Sequence, residues 1–252
     1  MNSFRINITR LLTLSFLFVA TVSFAQDEEQ PDKYADDFKE ILFMVIDGDY
    51  EKAAGKAEKF MEKEATRRDP RPYIYASMAY FEISKNEEMA EDYPRAFRDA
   101  IKYGSKARRY DKENKYMPEF DRYLAELKAE IMQEARFQYE TENWRKSITY
   151  SKYVWRIDPK DLSALLLKGT AEVKSNNTYQ AETTFEEAKT ALAEWSAGDV
   201  SIEGKPAYRY AVIEFAKLMK DEGKKSDARP FLDAMEPLLG EDPEFSNFTA
   251  SY

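Results

Sequence analysis

The feature that most constrains this chain is a triplet of small or apolar residues, spaced i, i+4 and i+7, that recurs five times. Because an α-helix has about 3.6 residues per turn, the three members of each triplet fall on one helical face. Successive triplets begin 47, 47, 34 and 47 residues apart, which indicates an array of helical repeats. The triplets are Ala53, Ala57 and Phe60; Ala100, Gly104 and Ala107; Ser147, Ser151 and Val154; Ala181, Phe185 and Ala188; and Ala228, Leu232 and Met235.

The clearest unit is the stretch from Leu162 to Leu192, which reads LSALLLKGTAEVKSNNTYQAETTFEEAKTAL. Its polar SNNTY segment separates two apolar-periodic halves, so the stretch predicts two short helices joined by a tight turn. It resembles one tetratricopeptide (TPR) repeat, a 34-residue helical hairpin. The resemblance is carried by Leu165, Gly169, Ala181, Phe185 and Ala188, whereas Lys168 and Glu172 stand where the family has leucine and tyrosine.

The resemblance implies an all-α, TPR-like solenoid of about five helical hairpins, wound as a right-handed superhelix. The three 47-residue intervals then reflect an extended turn, an extended helix and an inserted loop. A HEAT-like array, with a period of about 40–47 residues, is the rival interpretation. Gly169 and Ala135 favour the TPR-like fold, because each would place a small residue opposite the alanines of the paired helix.

Apolar stripes and turn signals delimit the remaining elements. The repeat domain is predicted over residues 33–240, with one irregular loop at 196–206 and a short C-terminal tail at 241–252. Helices are expected at 34–46, 50–64, 72–84, 95–110, 117–141, 144–157 and 208–222, besides those of the 162–192 unit and of the last triplet.

The N-terminus has the pattern of an export signal. Arg5 and Arg10 precede twelve apolar-rich residues, and Ser23-Phe24-Ala25 offers small residues for a peptidase, which predicts cleavage before Gln26. Residues 1–25 are thus a predicted signal peptide and 26–32 a linker; a membrane anchor is the alternative, although the run is shorter than the roughly 20 residues of a span. With no cysteine for lipidation, we expect an exported bacterial protein of Bacteroidetes type, in the periplasm or on the periplasmic face of the outer membrane.

Composition excludes several functions. The chain contains no cysteine and no histidine, so it has no Ser-His or Cys-His nucleophile and no histidine zinc site. No phosphate-binding glycine motif occurs, and a net charge of -9 argues against nucleic acid. We therefore expect no catalytic residue, metal or cofactor, although a hydrolase of envelope polysaccharide that uses two carboxylates is an alternative.

In TPR arrays the first helix of each repeat lines a concave binding face, so the resemblance also implies a binding groove. We expect it to bind a peptide or segment of another envelope protein, extended or helical and partly acidic, which makes the chain a scaffold or adaptor. A structural homo-oligomer, in which the apolar C-terminal hairpin stacks on another copy, is a third hypothesis. The predicted groove residues are Met132, Arg136, Tyr139, Leu166, Thr170, Val173, Lys174, Ile213 and Lys217.

Overall fold

The computed structural model describes residues 32–252, and this range contains helices and no strand. The predicted signal peptide, residues 1–25, and residues 26–31 of the predicted linker lie outside the described residues. The α-helices are α1 Ala35–Ile46, α2 Tyr50–Glu62, α3 Pro70–Lys85, α4 Glu87–Asp92, α5 Ala96–Tyr110, α6 Asp121–Glu140, α7 Trp144–Ile157, α8 Leu162–Lys174, α9 Thr178–Leu192, α10 Lys205–Asp221, α11 Lys225–Leu239 and α12 Pro243–Ser251. Short 3-10 helices lie at Met117–Phe120 and Ala197–Asp199.

The helices pack as five hairpins, which pair α1 with α2, α3 with α5, α6 with α7, α8 with α9, and α10 with α11. Neighbouring hairpins are joined by further packing of α2 on α3, α7 on α8, and α8 on α10. One apolar core runs through all five hairpins. The predicted all-α, TPR-like array of five hairpins is therefore confirmed.

Four of the five hairpins use the same three-residue turn, whose central residue has a positive φ: Gly48 at 84°, Glu142 at 60°, Asn176 at 62° and Gly223 at 73°. In the turn after α8, the Asn176 N–H donates to the Val173 carbonyl at 2.9 Å and the Asn177 N–H donates to the Glu172 carbonyl at 2.8 Å. These two bonds satisfy carbonyls that the helix end leaves free, as in a Schellman motif. Equivalent bonds close the other three turns.

The triplets lie where helices touch, as predicted. Ala53, Ala57, Ala100 and Ala107 have no exposed surface. A Cβ built on Gly169 would lie only 2.7 Å from Cδ1 of Phe185 in the paired helix, which is closer than real Cβ contacts come. Only a glycine lets α8 and α9 approach this closely with the ring in place.

The 162–192 hairpin buries a hydrogen-bonded cluster of Lys168, Glu172 and Thr184, and the first two stand where the sequence departs from the TPR pattern. Lys168 Nζ donates to Thr184 Oγ1 at 2.5 Å, and Thr184 Oγ1 donates to Glu172 Oε2 at 2.7 Å. The Lys168 ammonium also lies 3.3 Å from Glu172 Oε1. Lys168, Glu172 and Thr184 are 8%, 2% and 0% exposed, so this triad replaces apolar packing between α8 and α9 with paired charges.

Three elements differ from the sequence prediction. The expected extended turn of the second hairpin contains helix α4, capped by the Asn86 side chain, which accepts from the Glu88 and Met89 amides. Helix α10 begins at Lys205, three residues before its predicted start at 208, because Pro206 fits the first turn of a helix. The segment 241–252, predicted as a tail, forms α12, which packs on α10 and α11 and buries Phe245. It thus covers part of the hairpin on which a second copy was expected to stack.

Candidate functional site

The described residues form a groove along α6, which we call the α6 groove. It consists of two adjoining compartments of about 690 and 600 Å³. Both are lined by Ala129 and Met132 of α6 and by Glu203 and Ala207 on the opposite side, so they form one continuous depression. The first compartment lies beside the N-terminal half of α6 and the second beside its C-terminal half.

The second compartment is lined by the first helices of four consecutive hairpins. Phe81 and Lys85 come from α3, Leu167 from α8, and Tyr210 from α10, with α6 between them. The floor is apolar, and Phe137 remains 55% exposed at its edge. The other lining residues are Glu126, Glu130, Gln133, Arg136, Glu140 and Pro206, besides the four shared with the first compartment.

The two basic side chains of the second compartment already have carboxylate partners. Arg136 Nε donates to Glu140 Oε1 at 2.8 Å, and its guanidinium lies 4.5 Å from the centre of the Tyr210 ring. Lys85 Nζ lies 2.5 Å from Glu82 Oε1. These contacts leave neither cation as an open binding point for an anionic ligand.

The first compartment contains a partly buried ion pair centred on Lys128. Lys128 Nζ lies 2.6 Å from Asp158 Oδ2 and 3.3 Å from Asp161 Oδ2, which ties α6 to the α7–α8 connection. Asp161 also caps α8, because its Oδ1 accepts from the Ala164 amide at 3.1 Å. Burial raises the pKa of Asp158, but the Lys128 ammonium outweighs burial and holds this pKa below its ordinary value.

Three acidic residues of the first compartment have lowered pKa values. A glycosidase needs a general acid whose pKa is raised. A hydrogen bond from the Lys160 side chain lowers the pKa of Glu194. A hydrogen bond from the backbone N–H of Glu203 lowers the pKa of the Glu203 carboxyl. The pKa of Asp158 is lowered by Lys128, as described above. Within residues 32–252, no cluster of three or more acidic side chains is arranged to hold a metal ion, and none of the helices has the length and apolarity to cross a bilayer.

The structure separates the nine predicted groove residues. Met132 and Arg136 line the α6 groove. Lys217 is exposed and paired with Glu214 at 2.7 Å, while Val173 is half-buried and Lys174 exposed, and none of these three lines either compartment. Tyr139, Leu166, Thr170 and Ile213 are 5%, 1%, 0% and 3% exposed and line neither compartment, so the structure places them in the core beside the groove.

The position of α8 explains why Leu166 and Thr170 do not line the groove. Every residue from Leu162 to Glu172 is buried, because α8 packs against α7, α9 and α10 at once. Of the α8 residues, Ser163 and Leu167 alone line the groove. The Thr170 hydroxyl donates instead to the Leu166 carbonyl at 2.7 Å within the helix.

Sequence reasoning missed Phe137, Gln133 and Glu130. The sequence contains a signal for Phe137. The apolar stripe of α6 runs through Ile131 and Ala135, and Phe137 lies off that stripe among polar residues. A large aromatic residue on the polar face of a helix often marks a contact surface.

Comparison with known proteins finds similarity among solved structures. No protein-family model matches the chain, and no curated protein matches it. A structure named MamA RS-1 ArsTM double mutant is 15% identical over 84% of this chain and 98% of that chain, with a TM-score of 0.38. MamA MSR-1 C2 is 11% identical over 86% and 96%, with a TM-score of 0.32. The C-terminal part of a TPR repeat-containing protein from Cytophaga hutchinsonii is 13% identical over 84% and 98%, with a TM-score of 0.30.

Proposed function

We propose that this protein is a non-catalytic interaction scaffold of the bacterial envelope, which binds a peptide or protein segment in the α6 groove. The observation that carries the proposal is the open second compartment, with its apolar floor and the half-exposed Phe137 ring. Helical-repeat proteins bind partners along surfaces built from successive repeats, and this compartment is lined by four hairpins in succession.

The dimensions of the second compartment fit a short segment. Its α6 wall extends from Glu126 to Glu140, or about 21 Å at a rise of about 1.5 Å per residue. An extended peptide advances about 3.3 Å per residue, so roughly six residues cover this length. A volume of about 600 Å³ lies within the usual range of ligand sites.

Photo-crosslinking tests the groove. A photoreactive phenylalanine analogue at Phe137 should crosslink a segment of a partner protein in the native envelope. The same analogue at Tyr179, which is 80% exposed on α9 and lies outside the groove, is the matched control. A synthetic peptide of the captured segment should then bind the purified protein, and Phe137→Asp should weaken this binding at least tenfold while Tyr179→Asp leaves it unchanged.

Two results would contradict the groove assignment. One is equal crosslinking of the same partner from both positions. The other is binding of the captured peptide that Phe137→Asp does not change, because an apolar anchor site cannot accept a buried carboxylate without cost.

The envelope location is part of the proposal and is supported by the charged, apolar and small-residue order of residues 1–25. Fractionation of the native cells should place the protein in the periplasm or with the outer membrane, and sequencing of the mature N-terminus should begin at Gln26. Uncleaved protein in the cytoplasmic fraction would contradict this location.

A further inference from the structure

We propose that the α6 groove selects segments in which an apolar anchor is flanked by lysine or arginine side chains. This inference rests on the proposed function and specifies the chemistry of the partner. It replaces the partly acidic ligand that the sequence predicted, because the cations on which that prediction depended are paired with carboxylates or lie outside the groove.

The predicted acidic ligand depended on three cations, Arg136, Lys174 and Lys217. Arg136 and Lys217 form ion pairs with Glu140 and Glu214, with N–O distances of 2.8 and 2.7 Å. Lys174 is exposed but does not line either compartment. An acidic segment in the groove would therefore meet no free positive charge from these three residues.

The second compartment has an excess of carboxylates. Its lining contains two basic residues, both paired, and four acidic residues: Glu126, Glu130, Glu140 and Glu203. Glu126 is paired with the exposed Arg122 at 3.3 Å and Glu140 with Arg136. Glu130 and Glu203 form no ion pair with any other residue in 32–252, and both are exposed.

These two carboxylates approach the second compartment from different elements. Glu130 lies on α6, and Glu203 lies in the connection that precedes α10. Hydrogen bonds from its own backbone N–H and the Ser201 side chain lower the pKa of Glu203, so it stays ionised at neutral pH. A segment that lies in the groove between them would gain by placing a cation near each one.

The floor between the carboxylates is apolar and supplies the anchor site. Phe81, Met132, Leu167 and Ala207 line it, and the exposed Phe137 ring stands at its edge. An aliphatic or aromatic side chain buries its surface there, and the flanking cations keep their ammonium groups in water.

Three fluorescein-labelled ten-residue peptides test this inference by fluorescence anisotropy. Each carries the same central Leu-Phe-Leu-Phe, flanked on both sides by three lysines, three glutamines or three glutamates. We expect the lysine peptide to bind at least fivefold more tightly than the glutamine peptide, and the glutamate peptide to bind most weakly. The advantage of lysine should shrink as salt is raised, because exposed charge pairs are screened.

Charge reversal in the protein makes the test specific to the site. Glu130→Lys should weaken the lysine peptide at least fivefold and strengthen the glutamate peptide. Glu187→Lys, the same change at an exposed position on α9 outside the groove, should alter neither by more than twofold.

The outcomes separate this inference from the proposed function. Equal affinity for all three peptides, tightest binding of the glutamate peptide, or equal effects of the two reversals would overturn the inference. If the crosslinking at Phe137 also succeeds, these results leave the groove as a binding site. If none of the three peptides binds, the inference is overturned as well. If only the crosslinking at Phe137 fails, the proposed function is overturned.

Discussion

The packing of Gly169 predicts that the same substitution, glycine to alanine, will have different effects on stability at two helical positions. Gly169 and Gly55 both lie inside α-helices, and neither has a positive φ. A Cβ on Gly169 would lie 2.7 Å from the Phe185 ring, whereas a Cβ on Gly55 would have nothing within 4 Å. Gly55→Ala is therefore the matched control for Gly169→Ala.

The magnitude follows from two terms. In a helix interior, alanine is more favourable than glycine by about 1 kcal/mol, so Gly55→Ala should raise the free energy of unfolding by about that amount. Gly169→Ala gains the same term but overpacks the hairpin, at a cost of about 1–3 kcal/mol. The net result at Gly169 ranges from no change to a loss of about 2 kcal/mol, and the two variants should differ by about 1–3 kcal/mol.

Neighbouring rings hinder movement of the Phe185 ring away from position 169, so Gly169→Ala should carry the free-energy cost of overpacking. Its centre lies 4.9 Å from that of Phe215, and Phe215 lies 5.2 Å from Phe231, which is 1% exposed. A shift of Phe185 therefore disturbs α10 and α11 as well as α9. Close-packed interiors resist such displacements.

Urea unfolding, followed by circular dichroism, gives both free energies. A double-mutant cycle with Phe185→Leu adds a second measurement, because the smaller side chain should reduce the cost of Ala at position 169. If Gly169→Ala stabilises the protein as much as Gly55→Ala does, the close approach of α8 and α9 is refuted.

Three further predictions concern the buried charges and the turns. Lys168→Met should lower the free energy of unfolding by about 3–5 kcal/mol in urea titrations, because Glu172 is left unpaired. The double variant Lys168→Met/Glu172→Leu should recover most of this loss, and a double variant no more stable than the single one would contradict the prediction. Lys128→Met should raise the pKa of Asp158, measured by NMR of its carboxyl carbon, since burial is then opposed only by the Lys160 amide and by Arg108. In the wild type, stability that depends on the lowered pKa of Asp158 is present above its unfolded-state value and is lost as pH falls through its folded-state value, so the variant should lose this acid resistance. Glu142→Gly should raise the free energy of unfolding by up to about 1 kcal/mol, because its φ of 60° is unfavourable for a side chain with a Cβ; unchanged urea midpoints would argue against strain there.

The fold could be predicted because its signals are local. The triplets mark the buried faces of the helices, and the turn glycines Gly48 and Gly223 mark helix ends, so both can be read from short stretches of sequence. The break between residues 141 and 144 was predicted as well, but the positive φ of Glu142 was not, since a glutamate carries no preference for positive φ.

The groove could not be predicted in the same way, because it depends on contacts between distant segments. The TPR resemblance places Leu166 and Thr170 on the binding face, but α8 packs against α7, α9 and α10, and both residues are buried. Lys168 likewise looks like a departure from the TPR pattern, and only its contact with Thr184, sixteen residues later, explains it.

Helix α12 has a consequence for the fifth hairpin. It buries Phe245 among the core residues, and Asp242 at its start accepts from Arg209 of α10 at 2.7 Å. Because α12 packs on both α10 and α11, it shields apolar surface of the fifth hairpin from water, much as the next hairpin does for each of the first four.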